Sequence, residues 1–224
     1  MKRFLALISL SATLALAAPA RADILYTFAN STFNGRKGTE QDYTAGTYTI
    51  KTYGYNSTYT ASPKTLTLGS ATRLYAKYTA GDPGETGLGI NSDPTGNHEI
   101  TTNTSVKLDM TSVLSANPNS SVTFTIGSVQ SGEGFAIFGG STSPSDFIYQ
   151  KTGSGSTTVY EYTITAAQAA AAGDVFYVTA THNNVLINTV DVAAVPEPSS
   201  AILSIMGLGF LGGVRWLRKR SQKA

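Results

Sequence analysis

The segment from Gly81 to Glu99 carries the densest group of side chains that could do chemistry. Four acidic residues lie in it, Asp82, Glu85, Asp93 and Glu99, separated by glycines and prolines. Carboxylate and carbonyl oxygens on a flexible loop are the ligands that Ca²⁺ prefers, about six to eight of them at about 2.3–2.6 Å. The acids do not follow the EF-hand spacing, and glycine and proline are equally typical of plain turns. The sequence leaves two interpretations open, a structural calcium site or a loop held by its own hydrogen bonds.

Few residues could act as a catalytic acid, base or nucleophile. The candidates are two histidines and two pairs of carboxylates, namely His98, His182, Glu85 with Asp93, and Glu133 with Asp146. Their order matches no catalytic triad and no zinc-binding spacing. A glycosidase needs two carboxylates that face each other, about 5–5.5 Å or 6.5–9.5 Å apart. A sequence does not show which carboxylates face each other in the folded protein. We expect a non-enzymatic protein without catalytic residues or a cofactor other than calcium, and the alternative is a polysaccharide-active enzyme.

Tyrosine is abundant in the first third of the chain. The protein has 12 tyrosines, and Tyr53 and Tyr55 lie in this crowded region. A tyrosine ring offers an apolar face that can stack on a sugar and a polar tip that can form hydrogen bonds, but the same shape suits half-buried strand positions. Extracellular polysaccharide is therefore the candidate ligand, and plain packing is the competing interpretation.

Threonine pairs of the form Thr-x-Thr recur along the chain, for example at Thr123 and Thr125. Rows of threonine on a flat sheet could match an ice lattice. The intervals between the pairs follow no fixed period, which a repeat protein would require, and threonine is common on exposed strand faces. Ice binding is therefore the weaker alternative.

Charge and composition exclude several partners. Half of the 16 basic residues lie near the two ends of the chain, so residues 23–194 contain eight basic and thirteen acidic residues. An acidic domain lacks the basic groove that binds a phosphate backbone, so we expect no nucleic-acid partner. Cysteine is absent, which removes disulfides, thiol nucleophiles and thiolate metal ligands. We expect core packing alone to stabilise the domain.

The elements that position these residues follow a β pattern. Short runs rich in threonine, tyrosine, valine and isoleucine are separated by turn-forming residues. Side chains alternate between two faces, as Val122, Phe124 and Ile126 do against the threonines between them. The predicted strands are 24–29, 47–53, 73–78, 98–109, 122–129, 135–138, 157–163, 175–181 and 185–191. Residues 23–194 are therefore predicted to form one all-β domain, an antiparallel β-sandwich of jelly-roll type.

Two local signals add detail to this sandwich. Residues 166–172 are rich in alanine, with Thr165 as an N-cap and Gly173 as a stop, and they predict one short helix. The sequence His182-Asn183-Asn184 predicts a hairpin turn between the last two strands, because asparagine tolerates positive φ.

The N-terminus has the order of a secretory signal peptide. Lys2 and Arg3 precede an apolar run over residues 4–18, and Ala20 and Ala22 are the small residues that signal peptidase requires before the cleavage point. We expect cleavage before Asp23, so residues 1–22 would be absent from an exported mature protein.

The C-terminus, residues 195–224, contains three parts in order. The segment Val195-Pro196-Glu197-Pro198-Ser199 comes first, then an apolar stretch over residues 201–217, and then a basic end with Arg215, Arg218, Lys219 and Arg220. A helix over the apolar stretch, at about 1.5 Å per residue, can just cross a membrane. The basic end would stay in the cytoplasm, which places residues 23–194 outside.

This order of parts resembles the PEP-CTERM sorting signal of exosortase-dependent surface proteins. The resemblance implies that exosortase recognises the segment from Val195 to Ser199 in the membrane and removes the tail, so that the membrane anchor is transient. The mature protein is then expected at the cell surface or in the extracellular matrix of a biofilm, as a structural or adhesive component. A single-pass anchor that stays attached is the alternative.

A second resemblance covers part of the domain. The segments 74–77, 85–90 and 91–100, continued by 106–110 and 122–138, are similar to a domain of exosortase-dependent surface proteins. This resemblance implies a secreted β protein without an established set of catalytic residues.

Overall fold

A computed structural model describes residues 23–92, 96–156 and 158–193. The predicted signal peptide, the sorting segment and the membrane helix lie outside these residues. In chain order the strands are β1 (Ile24–Thr27), β2 (Gly35–Arg36), β3 (Glu40–Ala45), β4 (Tyr48–Ala61), β5 (Lys64–Thr72), β6 (Leu74–Lys77), β7 (Gly87–Ile90), β8 (Ile100–Thr101), β9 (Thr104–Asp109), β10 (Val122–Gly127), β11 (Gly134–Gly139), β12 (Asp146–Thr152), β13 (Val159–Ile164), β14 (Val175–His182) and β15 (Asn184–Val192). Two short helices, α1 (Thr111–Ala116) and α2 (Ala166–Ala171), and a 3₁₀ helix at Pro83–Glu85 complete the described elements.

The strands form two antiparallel sheets. The first sheet has the order β13-β10-β15-β7-β6-β2, and β1 and β8 also pair with β15. The second sheet has the order β12-β11-β14-β9-β4-β3, and β5 pairs with β4. This arrangement confirms the predicted all-β, sandwich-like fold, while its jelly-roll type stays a prediction.

The main hydrophobic core lies between the two sheets. Val122, Phe124 and Ile126 of β10 are fully buried in it, as the alternation in the sequence predicts, and Phe176 and Val178 of β14 pack against the same cluster. Each large apolar side chain removed from water in this way stabilises the fold by about 1.5–3 kcal/mol.

A second, smaller hydrophobic cluster lies on the outer face of the second sheet. The outer part of the β4–β5 hairpin, residues 57–68, which we call the arm, contributes Leu66 to a cluster with Phe138 and Tyr177. Ile137, the neighbour of Phe138 in β11, belongs to the main core. Because neighbouring strand residues point to opposite faces, Phe138 lies on the outer face. The arm therefore covers the face of this sheet that is turned away from the first sheet.

Contacts with β12 hold the arm in place. The Tyr59 hydroxyl donates to Gln150 Oε1 at 3.0 Å, and Lys64 Nζ lies 4.2 Å from the centre of the Phe147 ring. The arm belongs to the β4–β5 hairpin, and β4 lies next to the edge strand β3, whereas β12 forms the opposite edge of the sheet. The arm therefore crosses most of the sheet to reach β12.

Several strand predictions need correction. The predicted strand 98–109 is two strands, β8 and β9, separated by a turn in which the Thr101 amide donates to Thr104 Oγ1 at 2.8 Å. The predicted strand 47–53 extends to Ala61 as β4, and the strands β2, β3, β5, β7 and β12 were not predicted. β3 contains acidic residues and β7 is half glycine, types with little intrinsic strand preference, so pairing with neighbours decides their conformation.

The predicted hairpin at His182-Asn183-Asn184 is wrong. β14 belongs to the second sheet and β15 to the first, so the chain crosses between the sheets at this point. Asn183 does have positive φ, 46°, because the crossing needs a sharp change of direction as much as a hairpin does.

The helix prediction is correct but incomplete. α2 begins after Thr165, whose hydroxyl accepts from the Gln168 amide in a capping box. The helix α1 was missed, because its N-cap position is Met110, which forms no side-chain cap. Within the described residues no helix is long and apolar enough to cross a membrane.

Candidate functional site

A half-buried lysine of β6, Lys77, lies against the acidic loop. Lys77 Nζ donates to Glu85 Oε2 at 2.5 Å and to Glu99 Oε1. The other oxygen of Glu99 accepts from Asn184 Nδ2, and Ser128 Oγ donates to Glu85 Oε1 at 3.0 Å. We call these five residues, Lys77, Glu85, Glu99, Ser128 and Asn184, the lysine cluster.

Five separate parts of the chain supply the lysine cluster. Lys77 ends β6 and Asn184 begins β15, whereas Glu85 ends the 3₁₀ helix, Glu99 directly precedes β8 and Ser128 follows β10. Sequence spacing could not reveal this group, because its members come together only through the pairing of the strands.

The 3₁₀ helix that carries Glu85 is fixed by its own hydrogen bonds. Asp82 caps it, since its side chain accepts from the Gly84 amide at 3.0 Å. Asn188 Nδ2 donates to the carbonyl of Pro83 at 2.5 Å, and the Ser128 amide donates to the carbonyl of Gly84 at 2.9 Å. The carboxylate of Glu85 is therefore held against Lys77 by contacts with two strands of the first sheet.

The pKa values of the two glutamates in the lysine cluster shift in opposite directions. Burial raises the pKa of Glu99 above its usual range despite the hydrogen bonds from Lys77 and Asn184, and only 2% of this side chain is exposed. Burial acts in the same direction on Glu85, but hydrogen bonds from Lys77 and Ser128 outweigh it and lower the pKa. For Lys77, burial alone would lower the pKa, and the bonds to the two glutamates raise it.

The structure brings two of the four predicted calcium ligands together. Glu85 and Glu99 meet at Lys77, so an ammonium group occupies the space between their carboxylates. Asp82 is used as a helix cap, and Asp93 lies outside the described residues. Within the described ranges no group of three or more His, Cys, Asp or Glu residues has the geometry to hold a metal ion. The calcium site, which includes Asp93, stays a prediction.

The two histidines occupy different surroundings. His98 stacks on Tyr75 with ring centres 3.9 Å apart and adopts positive φ, 62°. His182 is exposed at the end of β14, where its Nδ1 lies 3.3 Å from Thr181 Oγ1.

The acid pair Glu133 and Asp146 does not converge. Glu133 precedes the first residue of β11, and Asp146 pairs with Gly139 at the far end of that strand. Glu133 Oε2 instead accepts from the Gln130 amide at 2.7 Å within a turn. The pair Glu85 and Asp93 includes a residue outside the described ranges.

A row of tyrosines lies on the outer face of the second sheet, beside the arm. A Cβ at Gly54 would touch Ile90 and Leu74 of the first sheet, so the neighbouring Tyr53 and Tyr55 point to the outer face. Tyr53 is opposite Lys107 of β9, and Tyr55 is opposite Ser105. Lys107 Nζ lies 5.0 Å from the centre of the Tyr53 ring. Tyr53, Tyr55, Lys107 and Asp109 are half-buried, and we call them the tyrosine face.

Charges of both signs surround the tyrosine face. Tyr53 is opposite Glu40 in the register of β3 and β4, and Lys51 Nζ lies 3.6 Å from the same glutamate. Burial, together with the nearby Glu40 carboxylate, raises the pKa of Tyr53 to about 12. A tyrosine hydroxyl is protonated at neutral pH with or without this shift, and it can act as a hydrogen-bond donor.

A cavity of about 500 Å³ lies between α1 and α2. Its wall includes Leu114, Ser120, Ala166, Ala170 and Asp174. Among the described residues that line it, Asp174 is the single acid, so these residues do not supply the two facing carboxylates that sugar hydrolysis requires.

A comparison with known families matches residues 194–220 to the PEP-CTERM protein-sorting motif. The match confirms the resemblance seen in the order of the C-terminal parts. The motif implies an exported, surface-targeted protein that exosortase processes. A search of the curated proteins finds no match to the chain.

Proposed function

We propose that this exported protein is a non-enzymatic, polysaccharide-associated component of the cell surface or extracellular matrix. In this proposal the tyrosine face binds the polymer. The supporting observation is the placement of Tyr53 and Tyr55 on the outer face of one strand, next to Lys107 of the neighbouring strand.

Sugar binding suits the chemistry of this face. Aromatic rings pack against the apolar faces of sugar rings, while hydroxyl, ammonium and carboxylate groups form hydrogen bonds with sugar hydroxyls. Tyr53 and Tyr55 are held on a strand that pairs along both edges, with β3 or β5 on one side and β9 on the other. Little side-chain or backbone freedom is then lost on binding.

The charge pattern points to a neutral polymer. In the strand register, Lys51 lies between Asp42 and Asp109, and Tyr53 lies between Glu40 and Lys107. Neither positive nor negative charge therefore dominates the face. The net acidic composition of residues 23–194 would repel an anionic polysaccharide at long range. We therefore expect stronger binding to neutral than to acidic chains.

Three observations support a non-enzymatic role. The carboxylates of Glu85 and Glu99 are both bonded to Lys77, Glu133 and Asp146 lie at opposite ends of β11, and the cavity between α1 and α2 is lined by one acid. Neither of the described acid pairs is free to serve as the acid and base that glycoside cleavage requires.

The test is binding of the protein to purified surface polysaccharide from its own host. We expect the double variant Tyr53→Ala, Tyr55→Ala to bind at least about tenfold more weakly, a loss of about 1.4 kcal/mol. The control is Tyr78→Ala, because Tyr78 is a tyrosine at the surface, 37% exposed, but follows β6 of the first sheet.

Binding is measured by co-sedimentation with the polymer, and folding of each variant by its thermal midpoint. Equal binding of the double variant and the wild type, with both folded, would overturn the tyrosine face as the site. Release of soluble sugar from the polymer by the wild type would instead support the enzyme alternative.

A further inference from the structure

The lysine cluster contains the three groups that an intramolecular amide cross-link needs. These are an amine, Lys77, a carboxamide, Asn184, and a carboxyl group, Glu99, that contacts both of them. We propose that Lys77 and Asn184 react to form a covalent amide bond between β6 and β15, with Glu99 as the proton-transfer group.

The geometry places Glu99 between the two reacting residues. One of its oxygens accepts from Lys77 Nζ and the other from Asn184 Nδ2. A carboxyl group in this position can take a proton from the amine and give one to the amide without moving. The three side chains are thus brought together in one conformation, which makes the reaction effectively unimolecular.

Glu99, the proton-transfer group, is shielded from water. The exposed fraction of the Glu99 side chain is 2%, and that of Lys77 is 19%. Hydrolysis of a reactive centre is suppressed when water cannot enter. Glu85 holds Lys77 from the other side, and its own position is fixed by Ser128.

The reaction is balanced without an oxidant, a metal or another reactant. Lys77 Nζ first passes a proton to Glu99, and the neutral amine then attacks Cγ of Asn184. Attack leaves a tetrahedral adduct with a positive Nζ and a negative oxygen, and Glu99 gives its proton to Nδ2, the amide atom that it contacts. The oxygen re-forms the carbonyl, the bond from Cγ to Nδ2 breaks, and ammonia leaves. Nζ passes its extra proton through Glu99 to the ammonia, which departs as ammonium, and the bond from Nζ to Cγ remains as a secondary amide.

The cross-link would serve a protein that has no disulfide. The chain is exported, yet it contains no cysteine. An amide between residues 77 and 184 would close a long loop and restrict the unfolded chain, the effect by which a disulfide between distant residues stabilises a domain. Unlike a disulfide, it would withstand reducing agents.

Peptide mapping of the purified full-length chain tests the proposal. We expect a tryptic peptide in which the segment containing Lys77 is joined to the segment containing Asn184, with a mass about 17 Da below the sum of the two, the mass of the ammonia lost. Trypsin should not cleave after Lys77, because its amine is blocked. The joined peptide separates this reaction from cyclisation of an asparagine, which loses the same mass within one peptide.

Three variants distinguish the cross-link from simple packing. Lys77→Arg, Asn184→Ala and Glu99→Ala should each abolish the joined peptide and lower the thermal midpoint. The control is Asn56→Ala, which removes an exposed asparagine of β4 that donates to Ser70 Oγ and lies outside the lysine cluster, and should keep the joined peptide.

The tryptic digest of the wild-type protein tests the proposed cross-link even if a variant does not fold. Recovery of the Lys77 and Asn184 segments as separate, unmodified peptides from folded wild-type protein would overturn the proposal. A joined peptide that persists in Asn184→Ala would show that Lys77 reacts with a different residue, and would overturn it as well.

Discussion

Gly89 controls the approach of the acidic loop to the first sheet. A Cβ at this position would lie 2.9 Å from Cα of Glu99 and closer still to the carbonyl oxygen of His98. The backbone around Glu99 therefore passes directly over Gly89, which allows its carboxyl group to reach Lys77 and Asn184. A residue without a side chain is required here for close packing, since the neighbour is backbone and cannot rotate away.

The variant Gly89→Ala should destabilise the protein by about 1–3 kcal/mol, the usual cost of an added group in a packed region. The free energy of unfolding in urea measures the effect. Gly69→Ala is the control for a looser contact, because its added Cβ would lie 3.2 Å from the Asn56 carbonyl oxygen on an exposed strand, and we expect a loss smaller than that of Gly89→Ala, below about 1 kcal/mol. Equal losses in the two variants would contradict a special role for Gly89.

The pKa directions within the lysine cluster also depend on tertiary contacts. Glu85 and Glu99 are the same residue type in one loop, yet the pKa of Glu85 is lowered and that of Glu99 is raised. The difference arises because Glu99 is almost fully buried, whereas Glu85 is partly exposed and also receives the Ser128 hydroxyl. Residue type and spacing contain no information on burial of this kind.

Among the secondary-structure elements, the arm covers the outer face of the second sheet. Leu66 is 4% exposed and packs with Phe138, Val175 and Tyr177. Its side chain therefore connects the hairpin to β11 and β14, the two central strands beneath it.

The variant Leu66→Ala should lower the free energy of unfolding by about 2–5 kcal/mol, the range for removal of a buried leucine side chain. It should also increase amide hydrogen exchange in residues 57–68, because the arm loses its main apolar contact. The control Leu25→Ala, at a leucine that is 56% exposed, should change stability by less than about 1 kcal/mol. Exchange in the arm that stays at the wild-type level would contradict this role of Leu66.

Strands are predicted correctly where apolar or β-branched residues form a clear pattern. They are missed where pairing with neighbouring strands determines the conformation. β10 and β14 contain alternating or continuous β-branched and aromatic residues, and both were predicted close to their observed bounds. β7, with the sequence Gly-Leu-Gly-Ile, was assigned to a loop, yet all four residues are buried between β6 and β15. Its glycines allow close contact with residues 98–99 and 187–188, which only the folded chain defines.

At the scale of the whole molecule, the C-terminal motif predicts the state of the mature protein. We expect protein purified from its host to lack the tail that follows the segment Val195 to Ser199, because exosortase removes it. Replacement of Pro196, Glu197 and Pro198 by alanine should leave a chain that still ends at Ala224. Intact mass distinguishes the two forms.

The control for this experiment is alanine replacement of Ser141, Thr142 and Ser143, an exposed loop segment, which should leave processing unchanged. A wild-type mass that includes Ala224 would contradict removal of the tail and support a permanent anchor.

Local residue patterns are sufficient to identify the sorting signal, the all-β class and the helix capped by Thr165, because each depends on residues that are close together in the chain. The same patterns indicate the loop that contains Glu85 and Glu99. The folded structure is needed to show that these acids contact Lys77, that Asn184 contacts Glu99, and that β14 and β15 belong to different sheets. The contacts within the lysine cluster join residues from 8 to 85 positions apart, and their geometry depends on strand pairing, which local residue patterns leave undetermined.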